Sequence, residues 1–213
     1  MKKNIIPFIL CIIPLIYVFS IYNSLPETIP IHFNGKGDAD DFGNKNFIFL
    51  GGFMPLFVWI VMLFAKKFDT KNRLSEMGSK FDNFLIGNIL IMSLIGIIMV
   101  WSMSHGGVKF EMRWLLIVIG GLFILMGNYM PSFKPNYFIG IRNAWTLENE
   151  EVWKKTHKLG GYCSLVGGLL LICIALIMNE NMSITYPILI STFIVSIIPT
   201  IYSYWYFQKI NNQ

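Results

Sequence analysis

Six apolar runs punctuate the chain, at residues 5–22, 47–65, 84–103, 114–130, 160–178 and 184–207, and short polar segments separate them. Each run is close to the twenty or so helical residues, at about 1.5 Å rise, that cross a hydrocarbon core of about 30 Å. The pattern predicts an all-α integral membrane protein with six transmembrane helices. None of the runs contains Asp, Glu, Lys, Arg or His. Proton- and ion-coupled transporters generally place ionisable groups in mid-membrane, so the pattern argues against a pump.

Two polar segments are long enough to hold structure of their own. Segment 23–46 carries Pro26 and Pro30, which forbid a regular helix. Residues 28–33 read as a short extended run, and Asn34-Gly35 suits a tight turn, so a compact cap is expected here. In segment 131–159, Thr146 suits a helix start, with Glu148, Glu150 and Glu151 near the positive end and Lys154, Lys155 and Lys158 further on. Glu150/Lys154 and Glu151/Lys155 are spaced for i,i+4 pairs. Asn149, Trp153 and His157 share one face. This predicts an amphipathic helix on the inner leaflet leading into the fifth span, with Trp153 and the lysines as interfacial anchors. Segment 66–83 reads as plain and basic. Pro7, Pro14, Pro55, Pro187 and Pro199 are expected to kink their helices, and Gly160, Ser164 and Gly168 form a small-residue ridge for close helix approach.

Composition fits this reading: 54% of residues are hydrophobic and only 14% charged. Thirteen of the 17 basic residues fall on the side of the N-terminus and four on the other, with acidic residues evenly divided. Basic residues concentrate on the cytoplasmic side, which puts both termini in the cytoplasm and makes segment 23–46 an outer cap. The net charge of +5 then faces anionic membrane lipid and not nucleic acid. Lys2 and Lys3 before an apolar core resemble a signal peptide. Without an A-x-A-like cleavage site, and with a core of membrane length, the first run reads as a retained anchor. Cys11, Cys163 and Cys173 all lie within runs, where cysteine serves as a small apolar packer.

The candidate chemistry lies in the two polar segments. Arg142 can stack on Trp145 or grip a phosphate or carboxylate in a fork, and His157 can titrate near neutral pH. A membrane enzyme using this pair would lack a nucleophile–base pair or carboxylate dyad. In the cap, His32 with Asp38, Asp40 and Asp41 does not match a calcium loop, and His32 reads as a hydrogen-bonded structural residue, so no metal or other cofactor is expected.

The stretch GNYMPSFKPNYFIGIRNAWTLENEEVWKKTHKLGG resembles the signature of the SdpI family of bacterial immunity proteins. LPETIPIHFNGKGDAD resembles a domain of unknown function that often precedes it. The two cover residues from about 20 to 65 and from about 125 to the end, and Ala144 stands where the family more often has Pro. The resemblance implies a two-span unit with its cap, 1–83, followed by a four-span unit, 84–213. It further implies immunity to a secreted peptide toxin, with a winged-helix transcriptional repressor held at the membrane as a second partner. His32, Asn34, Gly37 and Asp38 are the candidate toxin contacts of the cap. Asn136, Gly140, Arg142, Trp145, Thr146, Trp153 and His157 form the candidate inner platform. A membrane enzyme and a transporter are the competing readings.

Overall fold

The computed structural model describes residues 5–106, 109–179 and 181–212, so Lys2 and Lys3 lie outside the described residues. The order is α1 (Ile5–Ile21), β1 (Thr28–Phe33), β2 (Ala39–Asn44), α2 (Ile48–Phe68), α3 (Arg73–Glu76), α4 (Ser79–Ser104), α5 (Arg113–Tyr129), α6 (Ala144–Glu148), α7 (Glu150–Ile177) and α8 (Thr185–Asn211). The six long helices are each apolar and long enough to cross a membrane. Their outward faces remain greasy: Ile16, Phe57, Leu176 and Ile201 are all exposed, as lipid-facing residues are.

Packing follows the small residues. α1, α2 and α4 form a triangle, α5 lies beside α4, and α7 is held between α5 and α8. α5 and α7 approach backbone to backbone, because Gly120 faces the Gly168 carbonyl and Gly127 faces that of Gly161. A similar notch joins Gly51 of α2 to Gly96 of α4. In lipid, where exclusion from water gives helices little reason to associate, such close contact supplies the dispersion energy. The expected ridge is therefore redistributed: Gly168 meets α5, whereas Gly160 meets Met130 and Ile141.

Pro14, Pro55 and Pro199 are helix-internal. Pro7 and Pro187 sit in the first turns of α1 and α8, where the missing N–H had no intrahelical acceptor, so no kink is required there. α2 and α4 extend beyond their apolar runs, and α7 most of all. Its 28 residues absorb the expected interfacial helix into one rod.

β1 and β2 form an antiparallel hairpin, with Thr28 opposite Asn44 and Phe33 opposite Ala39 and the register shifting around His32. The turn is built by Asn34, whose side-chain oxygen accepts from the amides of Lys36 (2.9 Å) and Asp38 (3.2 Å). Two backbone hydrogen bonds fasten this turn to the bundle. Phe110 N–H donates to Gly37 O at 3.0 Å, and Ile184 N–H donates to Gly35 O at 2.9 Å.

Candidate functional site

At the hairpin end, some cap residues build the turn and others form exposed side-chain pairs. Gly37 has φ +89°, and a Cβ there would collide with the Phe110 carbonyl. Asn34 is spent on the turn, its amide also reaching Asp38 at 3.3 Å. Asp38 lies 3.9 Å from Lys109. His32 is exposed and pairs with Asp40 at 2.5 Å through Nδ1. Among the described residues no three His, Cys, Asp or Glu side chains gather as metal ligands would. Beneath the hairpin a groove of about 530 Å³ opens between α4, α5 and α8. Ile98, Met112, Leu115 and Ile188 line it, and His32, Asn34 and Thr185 contribute polar groups.

At the opposite end, segment 131–149 folds over the start of α7 through side-chain hydrogen bonds. Asn136 is buried, accepting from the amides of Phe138 and Ile139 (both 2.8 Å) and donating to the carbonyls of Lys134 (2.8 Å) and Ile139 (3.1 Å). Trp153, expected as an interfacial anchor, is fully buried. Its indole N–H donates to Phe133 O at 2.7 Å, and its ring packs with Phe133, Leu74 and Phe81 in the core. His157, one turn on, stacks on the indole at 3.9 Å.

His157 is itself 1% exposed and spans two backbone groups. Its Nδ1 lies 2.9 Å from Trp153 O, which can only accept, so Nδ1 carries the hydrogen. Its Nε2 accepts from Ile141 N–H at 3.1 Å. A proton on Nε2 would set two N–H groups face to face, so this geometry fixes a neutral tautomer and gives the expected titration no place. Gly140 permits the arrangement: it has φ +114°, and any side chain there would displace the ring.

Thr146 does not start the helix. Asn143 caps α6, accepting from Thr146 N–H at 3.0 Å while Thr146 Oγ1 accepts from Asn143 N–H at 3.0 Å, a reciprocal capping box. Asn149 then caps α7, accepting from Glu151 and Val152 amides. Asn143 and Trp145 both donate to Ser203 of α8, at 2.9 and 2.6 Å. Trp145 meets Tyr204 edge-on at 5.3 Å, while Arg142 donates to Tyr137 O.

The expected Glu150/Lys154 and Glu151/Lys155 pairs do not form. Glu150 reaches Arg73 at 3.3 Å and Glu151 accepts from the Tyr206 hydroxyl at 2.6 Å. Nor is segment 66–83 plain. Leu74, Met77 and Phe81 enter the same core as Trp153, and Lys134 clasps Glu76 at 2.6 Å. That lysine holds the Glu76 carboxyl below its ordinary range, first by the hydrogen bond and then by its charge. The 3, 4-spacing of Leu74, Met77 and Phe81 was the available signal for this docking. For Ser203, one of several Ser and Thr hydroxyls along α8, there was none.

Six apolar helices, a hairpin closing one end and a self-bonded polar fold closing the other define a multi-pass membrane protein. Residues 132–203 match the SdpI/YfhL protein family and residues 9–58 match a domain of unknown function, DUF1648. The chain is also 28% identical over 216 aligned residues to the Immunity protein SdpI of Bacillus subtilis (strain 168), covering 99% of both chains. Together these matches support membership of the SdpI family. No solved structure matches it.

Proposed function

We propose that this protein is a non-enzymatic membrane immunity protein that protects its cell from a secreted peptide toxin met at the hairpin end. The observation carrying this reading is the end-to-end likeness to Immunity protein SdpI. The groove beneath the hairpin supports it, since an apolar floor with polar groups beside it suits an amphipathic peptide arriving at the water–lipid boundary. In this reading the hairpin faces outward and both termini are cytoplasmic, in line with the basic residues gathered at the other end. A cytoplasmic partner such as a repressor would meet the exposed Tyr137, Phe138 and Arg142, because Asn136, Thr146, Trp153 and His157 are buried.

Expression in a toxin-sensitive host should confer survival. Ile188→Trp, which fills the groove, and Asn34→Ala, which loosens the turn, should each lower protection at unchanged membrane abundance. Survival no better than that of the empty host would remove the immunity reading. Orientation is tested separately by cysteine labelling at Lys36 and Lys154 in a background lacking the three native cysteines. Only Lys36 should react in intact cells; external labelling at Lys154 would invert the topology.

A further inference from the structure

Away from the hairpin, a second groove runs along α4, α5 and α7. Its upper part, about 440 Å³, lies between Lys154, Lys158 and Tyr162 of α7 and Asn128 of α5. Its lower part, about 410 Å³, is lined by Gly87, Leu90 and Ile91 of α4 and by Gly121 and Leu125 of α5. Asn128 and Leu165 border both parts, so a cationic recess continues into an apolar trough.

Two further observations define what fits. Glu150 and Glu151, the carboxylates that could neutralise these lysines from the preceding turn, are engaged by Arg73 and Tyr206. Among the described residues Lys154 and Lys158 have no ion-pair partner, and their i,i+4 spacing sets them side by side on one face of α7. Below them, the space over Gly121 is open, with nothing within 4 Å of where a Cβ would lie. Positive charge above an apolar trough on a membrane-spanning surface is complementary to an anionic amphiphile.

We propose that this groove is a binding site for an anionic glycerophospholipid. The phosphate sits between Lys154 and Lys158, Tyr162 and Asn128 hydrogen-bond the headgroup, and one acyl chain lies over Gly121. The site does not depend on which peptide, if any, the hairpin end recognises.

The test is lipid titration of the delipidated full-length protein, read by native mass spectrometry, with dioleoyl phosphatidylglycerol, dioleoyl phosphatidylcholine and glycerol 1-phosphate as probes. Phosphatidylglycerol should bind in preference to phosphatidylcholine, and glycerol phosphate, which lacks the chain, should not compete. The Lys154→Gln/Lys158→Gln double variant should weaken phosphatidylglycerol binding about 30-fold, from the contribution of two lysines near a charged surface. Lys155→Gln, outside the groove, should leave it unchanged. Gly121→Leu, for which the backbone has room, should weaken binding by filling the trough, with thermal melting confirming an intact fold. Equal binding of the two lipids, an unaffected double variant, a loss reproduced by Lys155→Gln, or tight binding of glycerol phosphate alone would each overturn the site.

Discussion

Trp153→Phe separates a core tryptophan from an interfacial one. The side chain is fully buried, its N–H donates to Phe133 O at 2.7 Å, and Phe133 is itself only 3% exposed. Removing the donor strands a carbonyl away from water, at about 1–3 kcal/mol. Exchanging indole for phenyl also gives up apolar contact with the surrounding cluster, at about 1–2 kcal/mol, because the neighbours collapse only in part. The expected destabilisation is about 2–5 kcal/mol. Lys154→Gln, on the adjacent exposed position, should stay within about 0.5 kcal/mol. The measurement is unfolding of the full chain in mixed micelles by increasing dodecyl sulfate, followed by far-ultraviolet circular dichroism. Combining Trp153→Phe with His157→Gln should cost less than the sum, since the two rings stack and share one fold of backbone. A Trp153→Phe midpoint indistinguishable from that of Lys154→Gln would refute the reasoning and restore the residue to the membrane interface.

Four further variants can be checked in the same system. Gly37→Ala forces a side chain into the left-handed region at φ +89° and onto the Phe110 carbonyl. It should cost at least about 1–2 kcal/mol and speed hydrogen exchange at the Phe110 and Ile184 amides. Because the folded value of Glu76 lies below its unfolded one, its contribution is present above about pH 4.3 and lost as pH falls through the folded value. Glu76→Gln should therefore flatten the loss of stability between neutral and acid pH, as read from unfolding midpoints. Asn143→Ala removes the α6 cap and should cost about 1 kcal/mol, and Ser203→Ala should weaken the same corner by freeing both Asn143 and Trp145.

The spans and the hairpin strand were legible because each depends on one strong local signal, length of apolar run in one case and proline followed by Asn-Gly in the other. β1 falls on the run expected for it, Thr28–Phe33. The polar fold at the other end was harder to read. Interfacial amphiphilicity and a satisfied polar core draw on the same residues, and Trp153 with His157 fits either from spacing alone. Long-range partners decided between them: the Phe133 carbonyl lies 20 positions from Trp153, and Arg73 lies 77 from Glu150. Those partners also took Glu150 and Glu151 away from the lysines that helix spacing had assigned to them. Thr146 was misread as a cap for a related reason. Asn143 precedes it by three residues and the two side chains bond each other reciprocally around the short α6, while the helix that carries the lysines starts later, at the Asn149 cap.

α7 has a mechanical consequence. It extends over 28 residues, roughly 42 Å, contains no proline, and is riveted to α5 at two glycine contacts. Near one tip it carries the rings that hold the 133–142 backbone, and it ends beside the loop that Gly35 fastens to the hairpin. The prolines inside long helices fall in α1, α2 and α8, so flexing is left to the flanks while the α5–α7 pair behaves as a stiff beam. A beam of this kind tilts rather than bends. A displacement at the hairpin would then reach the far polar fold as a tilt of the pair.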